Sequence, residues 1–317
     1  MPPMARVFVT RQPVGDGLER LRAAGHEVDV WAERTPPPQD VLHDRTQQAD
    51  ALLCMLGDRI DEDFLVANAH LKVVANYAVG VDNIDLATAA KLGIEVGNTP
   101  GVLTDATADL AFALLLAAAR RLPQLQQAVL DGEWGTWTPD GFLGHDVVGA
   151  TLGIVGAGRI GEAVARRAAG FGMEILRTTS RGGTPLPELL ARSDFVSLHV
   201  PFTPHTRHLI DAQALQRMKP TAILINTARG AVVDTAALVD ALHAGTIGGA
   251  ALDVTDPEPL PPDHPLLGAP NVLVVPHVGS ATPRTRAAMT DLAVDNVLAA
   301  LAGEPLPHPA PAPAPAP

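Results

Sequence analysis

The chain of 317 residues is poor in cysteine, in aromatic residues and in positive charge. Its single cysteine, Cys54, excludes a disulfide within the chain. Cys54 also falls in the apolar run Ala51–Leu56, where a small core residue is expected rather than a reactive thiol. Lys and Arg number 23 against 35 Asp and Glu, a formal net charge of −12, with no basic cluster. Nucleic acid and anionic membranes are therefore poor candidates for partners.

Long hydrophobic runs are also missing. The longest apolar stretch, Leu110–Ala119, is about half the length that a membrane span requires. A strand is predicted within a few residues of Met1, and no basic segment or cleavage site typical of a secretory signal precedes it. No spacing typical of metal ligands is evident. We expect a soluble, cytoplasmic protein that binds no metal, and the 47% hydrophobic content suffices for two domains.

The first hundred residues alternate short apolar runs with helical periodicity. The predicted strands are Ala5–Thr10, Glu27–Trp31, Ala51–Leu56, Lys72–Tyr77 and Ile94–Gly97, and the predicted helices are Asp16–Ala24, Gln39–Ala49, Glu62–Ala69 and Leu86–Leu92. Such alternation predicts a parallel sheet covered by helices on both faces. A long helix over Thr104–Arg121 follows. It is apolar nearly all round, so we expect it to be buried within the chain or against another subunit.

A second alternating series begins with the run LGIVGAGRIG at positions 152–161. An apolar strand here delivers a G-x-G-x-x-G turn to the start of a helix, the pattern that cradles a dinucleotide pyrophosphate. Gly156 permits the tight turn, Gly158 lets the backbone approach the phosphates, and Gly161 lets the helix pack on the strand. The strands of this series are predicted at Leu152–Val155, Met173–Thr178, Phe195–Val200, Ala222–Asn226, Ala250–Asp253 and Val272–Val275, with helices between them such as Ala236–Ala244.

The predicted organisation is two doubly wound parallel-sheet domains of the α/β class. The final helix, Pro283–Ala302, has no sheet of its own to follow, so we expect it to return to the first domain. A flavodoxin-like substrate domain would then comprise 1–97 and 283–304. The Rossmann-type nucleotide domain, 98–282, would be inserted in it and would include a dimerisation helix and arm. The Pro-Ala tail, 305–317, is expected to be extended or disordered.

Three charged or titratable residues follow strands of the second series. Arg229, Glu258 and His277 come after the strands that end near Asn226, Asp253 and Val275. Ligands of doubly wound sheets bind at the carboxyl ends of the strands, so these side chains are candidates for catalysis. Taken singly, each has an ordinary interpretation as a surface ion-pair partner, a solvated loop acid or a structural histidine. Their joint position in one nucleotide fold favours the chemical interpretation.

The run Gly248–Thr285 resembles the D-isomer-specific 2-hydroxyacid dehydrogenases, most of all their glyoxylate/hydroxypyruvate reductase branch. The resemblance extends to NTPGVLTDATADLA (98–111), VGAGRIG, SDFVSLHVPFTPHTRHLI and NTARGAVVD, and so covers nearly the whole chain except the tail. It implies hydride transfer between a nicotinamide cofactor and a small 2-keto acid such as glyoxylate or hydroxypyruvate. It also implies a homodimer.

The resemblance further implies a role for each candidate residue. His277 would donate a proton to the carbonyl oxygen, Glu258 would orient the ring and stabilise the imidazolium, and Arg229 would bind the substrate carboxylate. The backbone N–H groups of Val79 and Gly80 would bind the same carboxylate. Two further residues would contact ligands or limit substrate size: Ser280 would touch substrate or cofactor, and Trp137 would reach into the neighbouring subunit's active site. Trp134 is as readily interpreted as interface filling.

The expected cofactor is NADPH, with NADH as the alternative. The second nucleotide-domain strand ends in Arg177–Arg181, where NAD enzymes usually carry an acid, and no carboxylate is present. Ser180 and Arg181 could therefore bind a 2′-phosphate. Asp253 would hold the nicotinamide carboxamide. The resemblance implies cofactor contacts from the remaining positions Gly156, Gly158, Arg159, Ile160, Gly161, Pro201, Thr206, Thr227, Gly279 and Thr104.

Two alternatives stay open on the sequence. A reductase of the same family could act on another 2-keto acid, such as 2-ketogluconate. A nucleotide-sensing binding protein, like the corepressors that share this scaffold, would keep the same three charged residues. The lack of a basic or partner-binding segment favours an enzyme.

Overall fold

The computed structural model describes residues 4–312. The described chain forms two compact α/β units. One contains the residues up to Leu103 together with those from Ser280 onward, and the other is Thr104–Gly279. These boundaries lie a few residues from the predicted ones. The predicted fold class, two α/β units that are each built on a parallel sheet, is confirmed.

The first unit contains a sheet in which each neighbouring pair of strands is parallel. Its strands are β1 (Arg6–Val9), β2 (Glu27–Val30), β3 (Ala51–Cys54), β4 (Val73–Asn76) and β5 (Glu95–Gly97), in the order β2-β1-β3-β4-β5. This is the flavodoxin order. The helices between them are α1 (Gly17–Ala23), α2 (Gln39–Thr46), α3 (Glu62–Ala67) and α4 (Leu86–Leu92). Strands β3 and β4 are buried at every residue, as continuous apolar runs in a parallel sheet should be.

The final helix, Pro283–Ala302, belongs to this first unit and packs on α1, β3, β4 and β5. Its start is fixed by Thr282, whose hydroxyl accepts from the Thr285 N–H, and by Pro283 in the first turn. Gly303 ends it in the left-handed conformation.

Part of the tail is held against β5. The tail, 305–317, is expected to be extended or disordered and to bury no apolar surface, but Leu306 is buried and Pro309 forms an antiparallel bridge with Gly97 of β5. The Ala310 N–H also donates to the Val96 carbonyl at 2.8 Å. β5 is an edge strand, so its backbone N–H and carbonyl groups can pair with an added segment. The proline-rich composition of the tail does not predict this pairing. Residues 313–317 of the predicted tail lie outside the described residues.

The second unit is built on a larger sheet. Its helices are α5 (Thr104–Ala119), α6 (Leu122–Leu130), α7 (Arg159–Ala169), α8 (Leu186–Arg192), α9 (Ala212–Arg217) and α10 (Thr235–His243). Its strands are β6 (Thr151–Val155), β7 (Glu174–Thr179), β8 (Gly182–Gly183), β9 (Phe195–Leu198), β10 (Ile223–Asn226), β11 (Gly249–Leu252) and β12 (Val272–Val274). The order is β12-β11-β10-β9-β6-β7-β8, in which only the short β8 pairs antiparallel within the described sheet. This is the Rossmann arrangement, with the reversal of strand order beside β6.

Helix α5 buries one side against α7, β10 and β11. The observed helix, Thr104–Ala119, is shorter than the predicted Thr104–Arg121, because Arg121 has a left-handed φ of 53° that does not continue a helix. Helix α6, which the sequence pattern did not predict, begins directly after Arg121 with Pro123 in its first turn. Over residues 4–312, no helix is both long and apolar enough to cross a membrane.

Candidate active site

Two glycines of the turn after β6 lie against neighbouring backbone atoms. Gly156 has a φ of 95°, and a side chain there would lie 2.7 Å from the His199 carbonyl. At Gly161 a β-carbon would lie 2.3 Å from the Gly156 oxygen. The Gly156 N–H donates to Thr178 at 2.9 Å, which ties the turn to β7. The tight turn and the close helix packing therefore leave no room for larger residues at these two positions.

Gly158 differs, since a β-carbon at this position would meet nothing within 4 Å. Gly158 is the N-cap of α7 in an extended conformation, and Arg159 and Ile160 form the first helical turn beside it. The first N–H groups of a helix have no partner within the helix, and together with the helix dipole they favour an anion. The open space at Gly158 therefore fits a pyrophosphate that approaches the backbone of this turn.

The end of β7 carries the residues expected to select the cofactor. Ser180 and Arg181 are exposed in the turn between β7 and β8. The Arg181 N–H donates to the Thr179 hydroxyl at 3.1 Å, and the Arg181 side chain is exposed. The carboxylate of Glu162 lies near this strand and accepts from Arg177 at 2.9 Å.

Other expected cofactor residues lie at further strand ends of the same sheet. After β9, the Thr206 hydroxyl donates to the Pro201 carbonyl at 2.7 Å and closes a short loop. After β10, the Thr227 hydroxyl is buried and has no hydrogen-bond partner among the described residues. A buried polar atom of this kind is usually satisfied by a ligand or a water molecule. Thr104 is the first residue of α5.

Arg229 is positioned by an asparagine that the sequence reasoning did not single out. Asn226, the last residue of β10, accepts from the Ala228 N–H at 3.0 Å and donates to the Arg229 carbonyl at 2.9 Å. The next residue, Gly230, lies so close to the loop after β11 that a β-carbon would be 1.9 Å from the Thr255 oxygen. This close approach brings the Arg229 loop against the loop that carries Glu258.

Glu258 and His277 are in direct contact. Glu258 Oε1 and His277 Nδ1 are 2.5 Å apart, although 19 residues separate them in the chain. Both side chains are partly exposed. His277 has a left-handed φ of 52°, a strained conformation for a residue other than glycine. The structure therefore brings together two of the three residues that the strand-end argument selected, and places Arg229 on the adjacent strand end.

Asp253, at the end of β11, holds the His277 turn. Its two carboxylate oxygens accept from the N–H groups of Val278 at 2.6 Å and Gly279 at 2.9 Å, and its carbonyl accepts from His277. Burial raises the pKa of the Asp253 carboxyl, and the neighbouring Glu258 charge adds to this effect. The two N–H donors and His277 oppose the rise. Asp253 thus fixes the backbone of residues 277–279, which carries the His277 side chain.

A second histidine at a strand end was missed by the sequence reasoning. His199 directly follows β9, and its Nε2 lies 2.8 Å from the Ser197 hydroxyl. Burial lowers the pKa of His199 to about 4. Its carbonyl is the group that faces Gly156. His199 therefore combines a buried, neutral imidazole with a backbone carbonyl that lies against the glycine turn.

Val79, Gly80 and Ser280 belong to the first unit. Val79 and Gly80 lie in the turn after β4, where the side-chain amides of Asn98 and Asn76 donate to their carbonyls, each at 2.8 Å. Trp137 belongs to the second unit and is 82% exposed. Within the described part of the chain, no group of three or more His, Cys, Asp or Glu could hold a metal ion.

The model of the D-isomer-specific 2-hydroxyacid dehydrogenase NAD-binding domain matches residues 112–279. The chain is also 50% identical over 311 residues to glyoxylate reductase of Korarchaeum cryptofilum, covering 94% of this chain and 93% of that one. The chain belongs to the D-isomer-specific 2-hydroxyacid dehydrogenase family. It is an oxidoreductase with a NAD-binding Rossmann sheet, and the resemblance inferred from its motifs is confirmed.

Solved structures agree with this membership. A protein from Thermus thermophilus superposes with a TM-score of 0.90 at 50% identity, covering 96% of this chain and 99% of that one. An NADPH-dependent glyoxylate/hydroxypyruvate reductase from Sinorhizobium meliloti, solved with NADP and malonate, has a TM-score of 0.83 at 35% identity and 96% coverage of each chain. Reduction of a 2-keto acid is the activity that these relatives support.

Proposed function

We propose that this protein reduces glyoxylate or hydroxypyruvate to the D-2-hydroxy acid with NADPH. The observation that supports this most strongly is the Glu258–His277 pair at 2.5 Å, with Arg229 on the neighbouring strand end of a nucleotide-binding sheet. Relatives about half identical to the chain carry the name glyoxylate reductase, which favours a small substrate.

The chemistry follows from the atoms that each side chain presents. A nicotinamide held at these strand ends would supply the hydride that the carbonyl carbon receives. Because Glu258 occupies Nδ1 of His277, Nε2 is the ring atom that can donate a proton to the carbonyl oxygen. The ring returns to its protonated form from solvent. Arg229 offers a planar fork of N–H donors, which suits a substrate carboxylate better than a lysine would.

The carboxylate would also be bound by the backbone N–H groups of Val79 and Gly80. Ser280 would contact the substrate or the cofactor. Asp253 would bind the nicotinamide carboxamide in addition to anchoring the His277 turn. The unpartnered Thr227 hydroxyl and the open face of Gly158 support a dinucleotide that runs along the strand ends of the second unit.

The proposed preference for NADPH rests on Ser180 and Arg181. Both are exposed at the end of β7, and the nearby Glu162 carboxylate is paired with Arg177, which reduces its repulsion of a 2′-phosphate. The kcat/KM values for NADPH and NADH test the preference. Higher efficiency with NADH contradicts it.

A homodimer is proposed from the exposed apolar residues of one segment. Large apolar side chains at the surface are concentrated between 122 and 148, namely Leu122, Val129, Leu130, Trp134, Trp137, Phe142, Leu143 and Val148. So much exposed apolar surface in one stretch typically marks an interface. The occupant is a second copy of this chain, and Trp137 would limit the size of the substrate in the partner's site. Light scattering that gives a monomer mass contradicts this assembly.

The experiment that decides the activity follows the loss of NADPH absorbance with glyoxylate, hydroxypyruvate, 2-ketogluconate and larger 2-keto acids. We expect turnover with the two small substrates. Turnover with 2-ketogluconate alone indicates the alternative reductase. Tight NADPH binding without any turnover indicates a nucleotide-sensing protein instead.

A further inference from the structure

Hydrogen bonds to two carbonyls of the turn after β4 determine the direction of the N–H groups in that turn. The Thr99 N–H donates to the Ala78 carbonyl at 2.8 Å, and Asn98 Nδ2 donates to the Val79 carbonyl at 2.8 Å. A peptide unit is planar and trans, so its N–H points opposite to its carbonyl. The Ala78 carbonyl therefore sets the direction of the Val79 N–H, and the Val79 carbonyl sets that of the Gly80 N–H. Asn98 and Thr99 therefore orient the N–H groups of Val79 and Gly80, which are the proposed donors to the substrate carboxylate.

Asn98 is itself held by the tail. Its backbone N–H donates to the His308 carbonyl at 3.0 Å. Asn296, on the final helix, donates from Nδ2 to the carbonyls of both Asn98 and His308, at 3.2 and 3.1 Å. The Asn296 Oδ1 accepts from the His308 N–H at 2.9 Å. One fully buried side chain thus joins the tail to the segment that orients the β4 turn.

The neighbouring residues accommodate this arrangement. A β-carbon at Gly97 would lie 2.3 Å from Asn296 Nδ2, so only glycine lets the asparagine reach this position. Pro309 bridges Gly97, Ala310 donates to Val96, and Leu306 is buried. The backbone contacts of residues 308–310 hold this part of the tail against the edge of β5.

We propose that residues 306–310, the tail segment, act with Asn296 and Asn98 as a positioning element for the substrate carboxylate. The tail segment fixes Asn98, and Asn98 and Thr99 aim the N–H groups of Val79 and Gly80. This inference rests on the proposed function, which assigns the carboxylate to these two N–H groups. Asn98, Asn296 and the tail segment would therefore influence substrate affinity without contacting the substrate.

A pair of truncations tests the proposal. Ending the chain after Glu304 removes the tail segment, whereas ending it after Ala310 removes only the residues beyond it. Measurements on the full-length protein and both truncations give kcat and KM for glyoxylate, the inhibition constant of oxalate and the dissociation constant of NADPH. For the shorter chain we expect KM for glyoxylate and the inhibition constant of oxalate to rise about tenfold, the typical effect of weakening a hydrogen bond to a charged group. The NADPH constant and all values of the longer truncation should stay unchanged.

A point substitution keeps the test informative if the shorter chain does not fold. His308→Pro removes the N–H that donates to Asn296, whereas His308→Ala retains it. The proline variant should weaken oxalate inhibition and leave NADPH binding intact, and the alanine variant should do neither. Unchanged oxalate inhibition in the proline variant, or equal losses of oxalate and NADPH affinity, overturns the positioning role. An intact protein that reduces no 2-keto acid contradicts the proposed function itself, which separates the two failures.

Discussion

Alanine substitutions at the three glycines of the turn after β6 separate a ligand-binding role from a structural one. An alanine at 158 adopts the extended conformation already present, and its methyl group meets no atom of the protein. We expect the unfolding free energy of the unliganded variant to change by no more than about 0.5 kcal/mol. The methyl group would occupy the space proposed for the pyrophosphate. NADPH affinity should therefore fall by about tenfold or more, since overpacking typically costs 1–3 kcal/mol.

The other two glycines should respond in the opposite way. Gly156→Ala places a side chain at a φ of 95° and 2.7 Å from the His199 carbonyl, which together should cost roughly 2–6 kcal/mol of stability. Gly161→Ala meets the Gly156 oxygen at 2.3 Å and should cost about 1–3 kcal/mol. Urea unfolding of the unliganded variants and NADPH fluorescence titration measure the two effects. A Gly158→Ala variant that binds NADPH normally contradicts the proposed pyrophosphate site, and a Gly156→Ala variant of unchanged stability contradicts the structural role of that glycine.

Four further predictions concern the strand ends. In Gly230→Ala the new β-carbon would lie 1.9 Å from the Thr255 oxygen, which forces the Arg229 loop away. We expect kcat to fall about 100-fold, because a displacement near 1 Å in an active site has that effect. An unaltered kcat would show that this loop contact does not position Arg229. Arg181→Ala should weaken NADPH about tenfold and spare NADH, and equal effects on both would exclude a 2′-phosphate contact. Glu258→Gln should lower kcat and spare NADPH affinity, because Glu258 Oε1 holds His277 Nδ1, and an unaltered kcat removes Glu258 from this orienting role. His199→Gln should flatten the pH dependence of stability between about pH 4 and pH 6.5.

The sign of the His199 effect follows from proton binding. The lowered pKa means that between about pH 4 and 6.5 the unfolded chain holds a proton on this ring that the folded protein lacks. Stability therefore rises with pH across this window, by at most about 1.4 kcal/mol per pH unit from one group. Urea titrations at several pH values should show a shallower slope for the glutamine variant than for the parent protein. Identical slopes would mean that the imidazole titrates normally in the folded state.

The sequence predicts the sheets well because of how parallel strands are buried. Strands such as β3, β4, β10 and β11 are buried on both faces, so each appears in the sequence as an uninterrupted apolar run. Polar residues directly after such runs lie at one edge of the sheet. This is why His277 and Glu258 could be predicted to lie at the same edge of the sheet, whereas their direct pairing was implied only by the family resemblance.

The features that were missed depend on contacts distant in sequence or on single backbone angles. The left-handed Arg121 ends α5 and permits α6, and no local pattern at an arginine predicts this. The position of His308 involves Asn296, a residue of the final helix whose side-chain amide bonds to the His308 carbonyl and N–H. The support that Asn226 gives to Arg229 was accessible, since an asparagine at a strand end often bonds to the backbone that follows it.

We propose that His277 delivers a proton to a 2-keto acid that receives hydride from a reduced nicotinamide. The most direct test is to measure kcat for glyoxylate reduction, together with NADPH affinity, for the parent protein and for His277→Ala. We expect turnover by the parent protein, a fall in kcat of about 10²–10⁴-fold in the variant and unchanged NADPH affinity. A parent protein that oxidises no NADPH with any small 2-keto acid, or a variant that works at the parent rate, contradicts it.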